Sequence, residues 1–419
     1  MSEWRNTTLG AVVDVRVSNV DKKTLPGERS VRLCNYMDVY SANAIKPERS
    51  LMLASVTDAE YQRFKLQAGD VVITKDSESP DDIAVSTYIA PGVGDDVVCG
   101  YHLAMLRPKP GIDGHFLSHL LRLPQVNLHF AKSATGSTRY GLGLKSIHDA
   151  PLRIPADESE QRGIAEVLTA LDEQIEQTEL EKAKLARVIT GAFDDVFGAG
   201  LVGDTSLANI KNGALLSGWT RVTVSQAAPE IVDFRGRTPL KLGMRWGGGD
   251  IQALSANNVE MGRINLEKET YFASDALYER WMTKGACAKD DIVMTLEAPL
   301  GNIALVPDDR KYILSQRVVL LKPNKAILPG RYLYLYLRWR WFQQLLVEES
   351  TGTTATGIQR KKLEKLPVLV APQKELESIT NFLLSLLVQM DDFDAELKKL
   401  RLQKKGLMYD LLTGATRVR

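Results

Sequence analysis

The chain has 419 residues, a net charge of +1 from 53 Lys and Arg against 52 Asp and Glu, and 44% hydrophobic residues, a composition ordinary for a soluble globular protein. The length predicts two or three domains, and the balanced charge leaves room for a locally basic face but for no strongly basic nucleic-acid binder. Three scattered cysteines (Cys34, Cys99, Cys287) without a Cys-x-x-Cys pair suggest neither a disulfide framework nor a zinc site, and the longest apolar run, Phe382–Val388, is too short to span a bilayer.

The N-terminal "MSEWRNTTLG" has no apolar signal-peptide core, which predicts a cytoplasmic protein. Short apolar runs follow, among them "VRLCNYMDV" (31–39), "GDVVIT" (69–74) and "LAMLRPK" (103–109), punctuated by Gly and Pro as strands are. One helix is predicted over "GHFLSHLLRLPQVNLHFA" (114–131), then a small polar loop "TGST" (135–138) and a Pro-bounded strand "APLRI" (150–154). A long helix comes next. Ile164, Leu168, Leu171, Ile175, Thr178, Lys182, Leu185 and Ile189 alternate at spacings of four and three, the stripe of a coiled-coil seam.

After about 215 residues the same order of signals returns. Trp4 aligns with Trp219, "VRLCNYMDV" with "IQALSANNV" (251–259), "GDVVIT" with "DDIVMT" (290–295), and "LAMLRPK" with "VVLLKPN" (318–324). "TGST" aligns with "TGTT" (351–354) and "APLRI" with "LPVLV" (366–370), and a second helix is predicted over "GRYLYLYLRWRWFQQLL" (330–346). The second long helix repeats the stripe in phase at Ile379, Leu383, Leu386, Met390, Phe393, Leu397, Leu400, Lys404, Leu407 and Leu411. The shift drifts by only a few residues, as loop insertions cause, so the chain is a tandem duplication.

The reading is therefore α/β: two α/β domains at 1–155 and 218–372, a central long helix at 156–198, a linker at 199–217, a C-terminal long helix at 373–413 and a tail at 414–419. Each helix, of roughly 35 residues, is roughly 50 Å long. A duplicated unit tends to pack about a pseudo-two-fold axis, which predicts that the two seams close on each other as an antiparallel coiled coil with one domain at each end. The polar seam positions Thr178, Lys182 and Lys404 cost stability but can fix register. Acidic residues on the outer face of the first helix (Glu166, Glu173, Glu176, Glu179) predict protein partners there, not DNA.

Catalytic signals are weak. His115, His119 and His129 share a helix, but their counterparts are Arg331, Leu335 and Leu345, so ordinary helix surface is expected and not a metal site. "VFGAG" (196–200) closes a helix where a nucleotide loop would open one, so Gly198 and Gly200 read as stop signals. "PDDRK" (307–311) is turn composition, and no nucleophile elbow, P-loop or His-Glu-x-x-His appears.

"IPADESEQRGIAEVLTALDEQI" (154–175) and "KKGLMYDLLTGATRVR" (404–419), with two divergent domains each followed by a long helix, resemble the specificity subunit of Type I restriction-modification enzymes. The resemblance covers nearly the whole chain; "APQKELESIT" departs from it, with Lys374-Glu375 near where Glu-Gln is usual. It implies a subunit without chemistry of its own, in which each domain is a target recognition domain reading one half of a split, asymmetric double-stranded DNA sequence. It implies methyltransferase subunits, two of them, that bring S-adenosylmethionine, and restriction subunits that use ATP and Mg. The rod would then straddle about one DNA turn, roughly 34–36 Å. The alternatives are a coiled-coil scaffold, or another two-domain nucleic-acid-binding protein without such partners.

DNA contact calls for amides, hydroxyls and cations on loops. In the first domain the candidates are Asn35, Lys75, Lys132, Ser133, Thr135, Ser137, Thr138, Arg139, Tyr140 and Lys145. In the second they are Arg235, Arg237, Asn257, Asn258, Thr351, Thr353, Thr354, Gln359, Arg360, Lys361 and Lys362. The last three, directly after a Ser/Thr-Gly loop, read as a phosphate grip.

Overall fold

A computed structural model describes residues 3–315, 317–352 and 356–418. The chain divides into two compact units, one of Met1–Leu180 with Asp394–Arg419 and one of Glu181–Phe393. Each is a mixed α/β structure, and the strand order is the same in both.

In the first unit, Trp4–Thr8 pairs antiparallel with Pro151–Pro155, the strand that leads into the central helix. In the second, Thr220–Thr223 pairs in the same way with Pro367–Val370. The core sheet of the first unit runs Val13–Val17, Leu103–Pro108, Val71–Thr74, Ser86–Ile89, with Ala44–Ile45 added at the edge. Its counterpart runs Glu230–Asp233, Val318–Lys322, Ile292–Leu296, Leu300–Leu305. A three-stranded sheet completes each unit. Arg29–Cys34 lies between an antiparallel Met52–Val56 and a parallel Val97–Cys99. Ile251–Leu254 lies between an antiparallel Phe272–Ala273 and a parallel Tyr312–Leu314.

Both faces of the core sheets are covered at their centres, so Val71–Thr74, Ile292–Leu296 and Val318–Lys322 read as near-continuous apolar runs. Along Val71–Thr74 the alternation of side chains sends Val71 and Ile73 into the core beneath the helices and Val72 into the core shared with the three-stranded sheet. Ile292, Met294 and Val293 divide in the same way.

The single helix expected after each core sheet is two helices. Gly114–Leu121 and Pro124–Ser133 are broken at Leu123, because Pro124 has no N–H to continue the ladder and holds the residue before it extended. Gly330–Arg338 and Arg340–Glu349 break at the aligned position without a proline. There Trp339 leaves helical geometry, and its fully buried indole donates to Asp194 Oδ1 at 2.9 Å.

The long helices span Glu158–Gly198 and Gln373–Leu412. Every seam position expected from the stripe is buried or half-buried, while Glu166, Glu173, Glu176 and Glu179 are exposed. Within the first unit, Leu411 and Leu412 enter the core that holds Ile164, Ala165 and Leu168, Lys404 pairs with Asp172, and Arg401 pairs with Glu179 at 2.6 Å. Within the second, Phe193 and Phe197 share a core with Leu376 and Leu383. As numbers rise along one helix they fall along the other, so the two helices pack antiparallel in each unit. Gly200, read as a stop signal, and Gly414 after the second long helix both pack closely. A Cβ on Gly200 would lie 2.4 Å from the Trp219 ring, and one on Gly414 would lie 3.0 Å from the ring of Trp4.

Two expectations about side chains need correction. His119 is not helix surface: it is 2% exposed, and Thr169 Oγ1 lies 3.2 Å from its Nε2 and 2.9 Å from that of His115. Asn258 is not on a groove-facing loop. It is fully buried, its Oδ1 accepts from Ser255 N–H (2.8 Å), and its Nδ2 donates to the Ala253 carbonyl (3.1 Å), so it braces a turn and leaves the set of DNA candidates.

Candidate nucleic-acid interface

In each unit the Ser/Thr-Gly loop is tied to the end of a central strand of the core sheet by the same main-chain hydrogen bonds. In the first unit, Lys75 N–H donates to the His102 carbonyl (2.8 Å) and Leu142 N–H to the Lys75 carbonyl (2.9 Å), while Thr135 and Gly141 exchange bonds of 3.1 and 2.9 Å. In the second, Leu296 N–H donates to the Arg317 carbonyl (2.8 Å) and Ile358 N–H to the Leu296 carbonyl (3.0 Å), while Thr351 and Gly357 exchange bonds of 2.9 and 3.1 Å. The sequence explains the closure. Gly136 has φ +139°, and a Cβ there would lie 2.0 Å from the Arg139 carbonyl oxygen, so the loop admits only glycine.

An acidic side chain and a cation-forming one meet under each loop. His102 Nδ1 lies 2.6 Å from Asp76 Oδ2, whose other oxygen accepts from Lys75 Nζ at 3.0 Å. Arg317 Nε lies 3.4 Å from Glu297 Oε1. His102 and Arg317 each stand immediately before a core strand, with φ of 69° and 68°. That left-handed conformation is strained for a non-glycine residue, by about 1–3 kcal/mol.

Beside each pair lies a concavity. The first, of about 820 Å³, carries Tyr36, Tyr40 and Tyr101 with His102 and Arg139, and the carboxylates Asp21, Asp76, Glu78 and Asp82. The second, of about 860 Å³, carries Trp246 stacked on Tyr271, with Arg237, Arg245 and Arg317 and a single carboxylate, Glu269. The two linings share the segments around Tyr36 and Asn257 and the aligned residues His102 and Arg317, but the first leans acidic and the second basic.

The structure gathers some of the sequence candidates here and disperses others. Arg139 lines the first concavity, and Arg237 and Asn257 line the second. Arg237 is tied down there, donating to the Trp281 carbonyl, and Asn257 donates to the Glu269 carbonyl at 2.9 Å. Thr135, Ser137 and Thr138 are exposed on the first loop, and Tyr140 pairs in register with Ser77. Asn35 leads into the helix Tyr36–Tyr40, and its amide donates to the Leu33 carbonyl, a bracing role for the tyrosines that follow. Lys132 and Ser133 end the helix Pro124–Ser133, and Lys145 stands on the short helix Leu144–His148; none of the three lines the concavity.

Arg235 is engaged with Asp233 at 2.7 Å. Burial pushes the Asp233 carboxyl up, but hydrogen bonds from Arg235 outweigh it and hold the group below its usual range. Thr351 is exposed; Thr353 and Thr354 lie outside the described residues. Of the expected phosphate grip, Arg360 is paired with Glu364 (2.7 Å) and Lys362 donates to the Glu349 carbonyl (3.0 Å), while Gln359 and Lys361 are exposed. Tyr36, Tyr101, His102, Arg245, Trp246, Tyr271 and Arg317 were not among the candidates. His102 and Arg317 carried a usable signal, since each directly precedes the aligned runs "LAMLRPK" and "VVLLKPN".

A family model for the Type I restriction modification DNA specificity domain matches residues 1–187 and 230–403. A Methanocaldococcus jannaschii protein named as the specificity subunit of the type I restriction enzyme MjaX is 22% identical over 368 residues, covering 87% of this chain and 82% of that one. The crystal structure of a Type I restriction-modification S subunit from M. genitalium matches with a TM-score of 0.60 at 15% identity, covering 98% of this chain and 96% of that one. A chain from a structural study of type I complex assembly and conformational transition matches with a TM-score of 0.54 at 14% identity, covering 98% and 97%. At such identities the two structures show a shared fold. Among the described residues no helix is long and apolar enough to cross a membrane.

Proposed function

Because the chain belongs to the Type I restriction-modification DNA specificity family, we propose that its two units each read one half of a bipartite, asymmetric DNA target. As a specificity subunit it is non-catalytic, recognises the DNA target and assembles with modification and restriction subunits. With family membership, a coiled-coil scaffold without nucleic acid has no remaining support.

One observation carries the bipartite reading: the same strand order and the same loop frame occur twice, around concavities of opposite charge character. Two like frames suit the matching local dyads of duplex DNA, and unlike linings suit unlike half-sites. Two methyltransferase subunits fit the duplication, one for each copy of the helix surface. Exposed apolar side chains support docking there: Leu180, Leu402 and Tyr409 in the first unit, Val188, Phe382 and Val388 in the second. Glu176 and Glu179 are partly occupied within the chain, by Lys46 (3.3 Å) and Arg401 (2.6 Å), so the acidic face is a weaker lure for partners than its composition suggests. S-adenosylmethionine, ATP and Mg belong to the partner subunits in this reading.

The test is a domain exchange. Replacing residues 1–155 with the matching domain of a relative, in a complex with its methyltransferase subunits, changes one half of the methylated motif and keeps the other. A motif altered in both halves rules out independent reading.

A further inference from the structure

The two copies share a frame but not the side chains mounted on it, and that contrast singles out one position in each. Position 102 and position 317 have the same left-handed backbone, accept the same main-chain hydrogen bond at 2.8 Å, and face a carboxylate one residue further on, Asp76 or Glu297. Only the side chains differ, His with Asp in one copy and Arg with Glu in the other. A group that grips phosphate has no reason to differ between copies, because phosphate is the same everywhere. A group that reads a base must differ if the half-sites differ.

We propose that Arg317 and His102 are base-reading residues of the two units, and that Arg317 reads a guanine. This rests on the DNA-specificity reading above. Arg317 is half exposed at the rim of the basic concavity, and its one ion pair among the described residues, to Glu297, is long, at 3.4 Å. The planar guanidinium matches guanine O6 and N7 with two parallel hydrogen bonds. Glu297 limits the side chain's freedom before DNA arrives, so less ordering is needed on binding. The left-handed residue holds the side chain's root at the end of a core strand.

The test uses the complex of this chain with its methyltransferase subunits and a randomised duplex library. Arg317→Gly removes the side chain at a φ that glycine adopts freely, so backbone strain does not confuse the result. The expected outcome is loss of a guanine preference at one position of the half-site read by the second unit. Binding to the cognate sequence falls about 5- to 150-fold, the worth of one bidentate pair. Arg317→Lys keeps the charge but not the fork, and does not restore the preference. His102→Ala relaxes one position in the other half-site only.

Uniform weakening on all sequences, with a shallower salt dependence and rescue by Arg317→Lys, makes Arg317 a phosphate contact and overturns the proposal. So does an unchanged motif. If the unaltered complex selects no sequence from the library, it is the DNA-specificity reading itself that fails.

Discussion

Lys404 occupies a seam position where leucine is the rule, and its ammonium pairs with Asp172 on the central helix, within the first unit. The two side chains are only 19% and 10% exposed, and Asp172 Oδ2 has no hydrogen-bond partner among the described residues. Lys404→Met keeps the length of the apolar stem but leaves a buried carboxylate without its counter-ion. Removing one partner of a buried pair costs roughly 3–5 kcal/mol. Arg122, whose charge is also felt at Asp172, softens the loss, so about 3 kcal/mol is expected. Adding Asp172→Leu removes the stranded charge and closes the seam with hydrocarbon, and the double variant should return to within about 1 kcal/mol of the parent. The two units need not melt together, so one midpoint for the whole chain is the wrong observable. Hydrogen exchange along Gly114–Leu121, followed as a function of urea, reads the first unit alone. The pair does not hold the seam if Lys404→Met costs less than about 1 kcal/mol, or if the double variant loses the sum of two single losses.

Two predictions concern charge elsewhere. Burial lowers the pKa of His115 and, further, of His119, where Arg122, His115 and Lys404 add to the effect. The unfolded chain, with histidines near 6.5, then binds protons that the folded one refuses, so stability falls as pH drops below about 6.5, by up to about 1.4 kcal/mol per pH unit for each histidine. Exchange rates in the same helix between pH 7.5 and 5.5 test this, and His119→Gln should flatten the dependence. For DNA binding, Lys361 is the one residue of the Arg360–Lys362 cluster left exposed with no ion pair or hydrogen bond among the described residues. Lys361→Ala should therefore lower the slope of log K against log salt by about 0.9, and the triple alanine variant by little more. A slope reduced by two or more contacts would return Arg360 and Lys362 to the phosphate grip.

The duplication and the packing of the two long helices were legible because they rest on periodicity, which survives divergence of the side chains. The helix break at Leu123 was missed although its signal is local: Pro124 stands in the predicted helix and has no N–H to continue it. The matching break at Trp339 was not, since it depends on a buried indole finding Asp194 about 145 residues away. The Ser/Thr-Gly loops were incompletely read. Their composition points to a turn near a ligand, and the side chains collected beneath them come from three or four distant segments. Asn258 shows the reverse error. An Asn-Asn pair on a predicted loop has the chemistry to meet a base, but hydrogen bonds to Ser255 and Ala253 turn one of the two inward.

The repeats of the sequence and the units of the structure are out of step, and this bears on how the chain holds together. Each repeat runs from a tryptophan to the glycines after its long helix, but each unit is completed by the end of the other repeat's helix. Trp4 of the first repeat meets Gly414, and Trp219 of the second meets Gly200. Leu411 and Leu412 stand in the same core as Ile164 and Leu168, and Phe193 and Phe197 in the same core as Leu376 and Leu383. A chain cut after the first repeat would keep the strands and loop of its own unit and lose Asp394–Arg419 from its core. It would expose Ile164, Ala165 and Leu168 and leave Asp172 without Lys404. Burying Ile164 and Leu168 is worth roughly 1.5–3 kcal/mol each, a large share of the roughly 5–15 kcal/mol that holds a domain folded. The exchange of helix ends thus makes the second copy part of the first copy's stability, and two repeats that would otherwise be separable modules become one obligate pair.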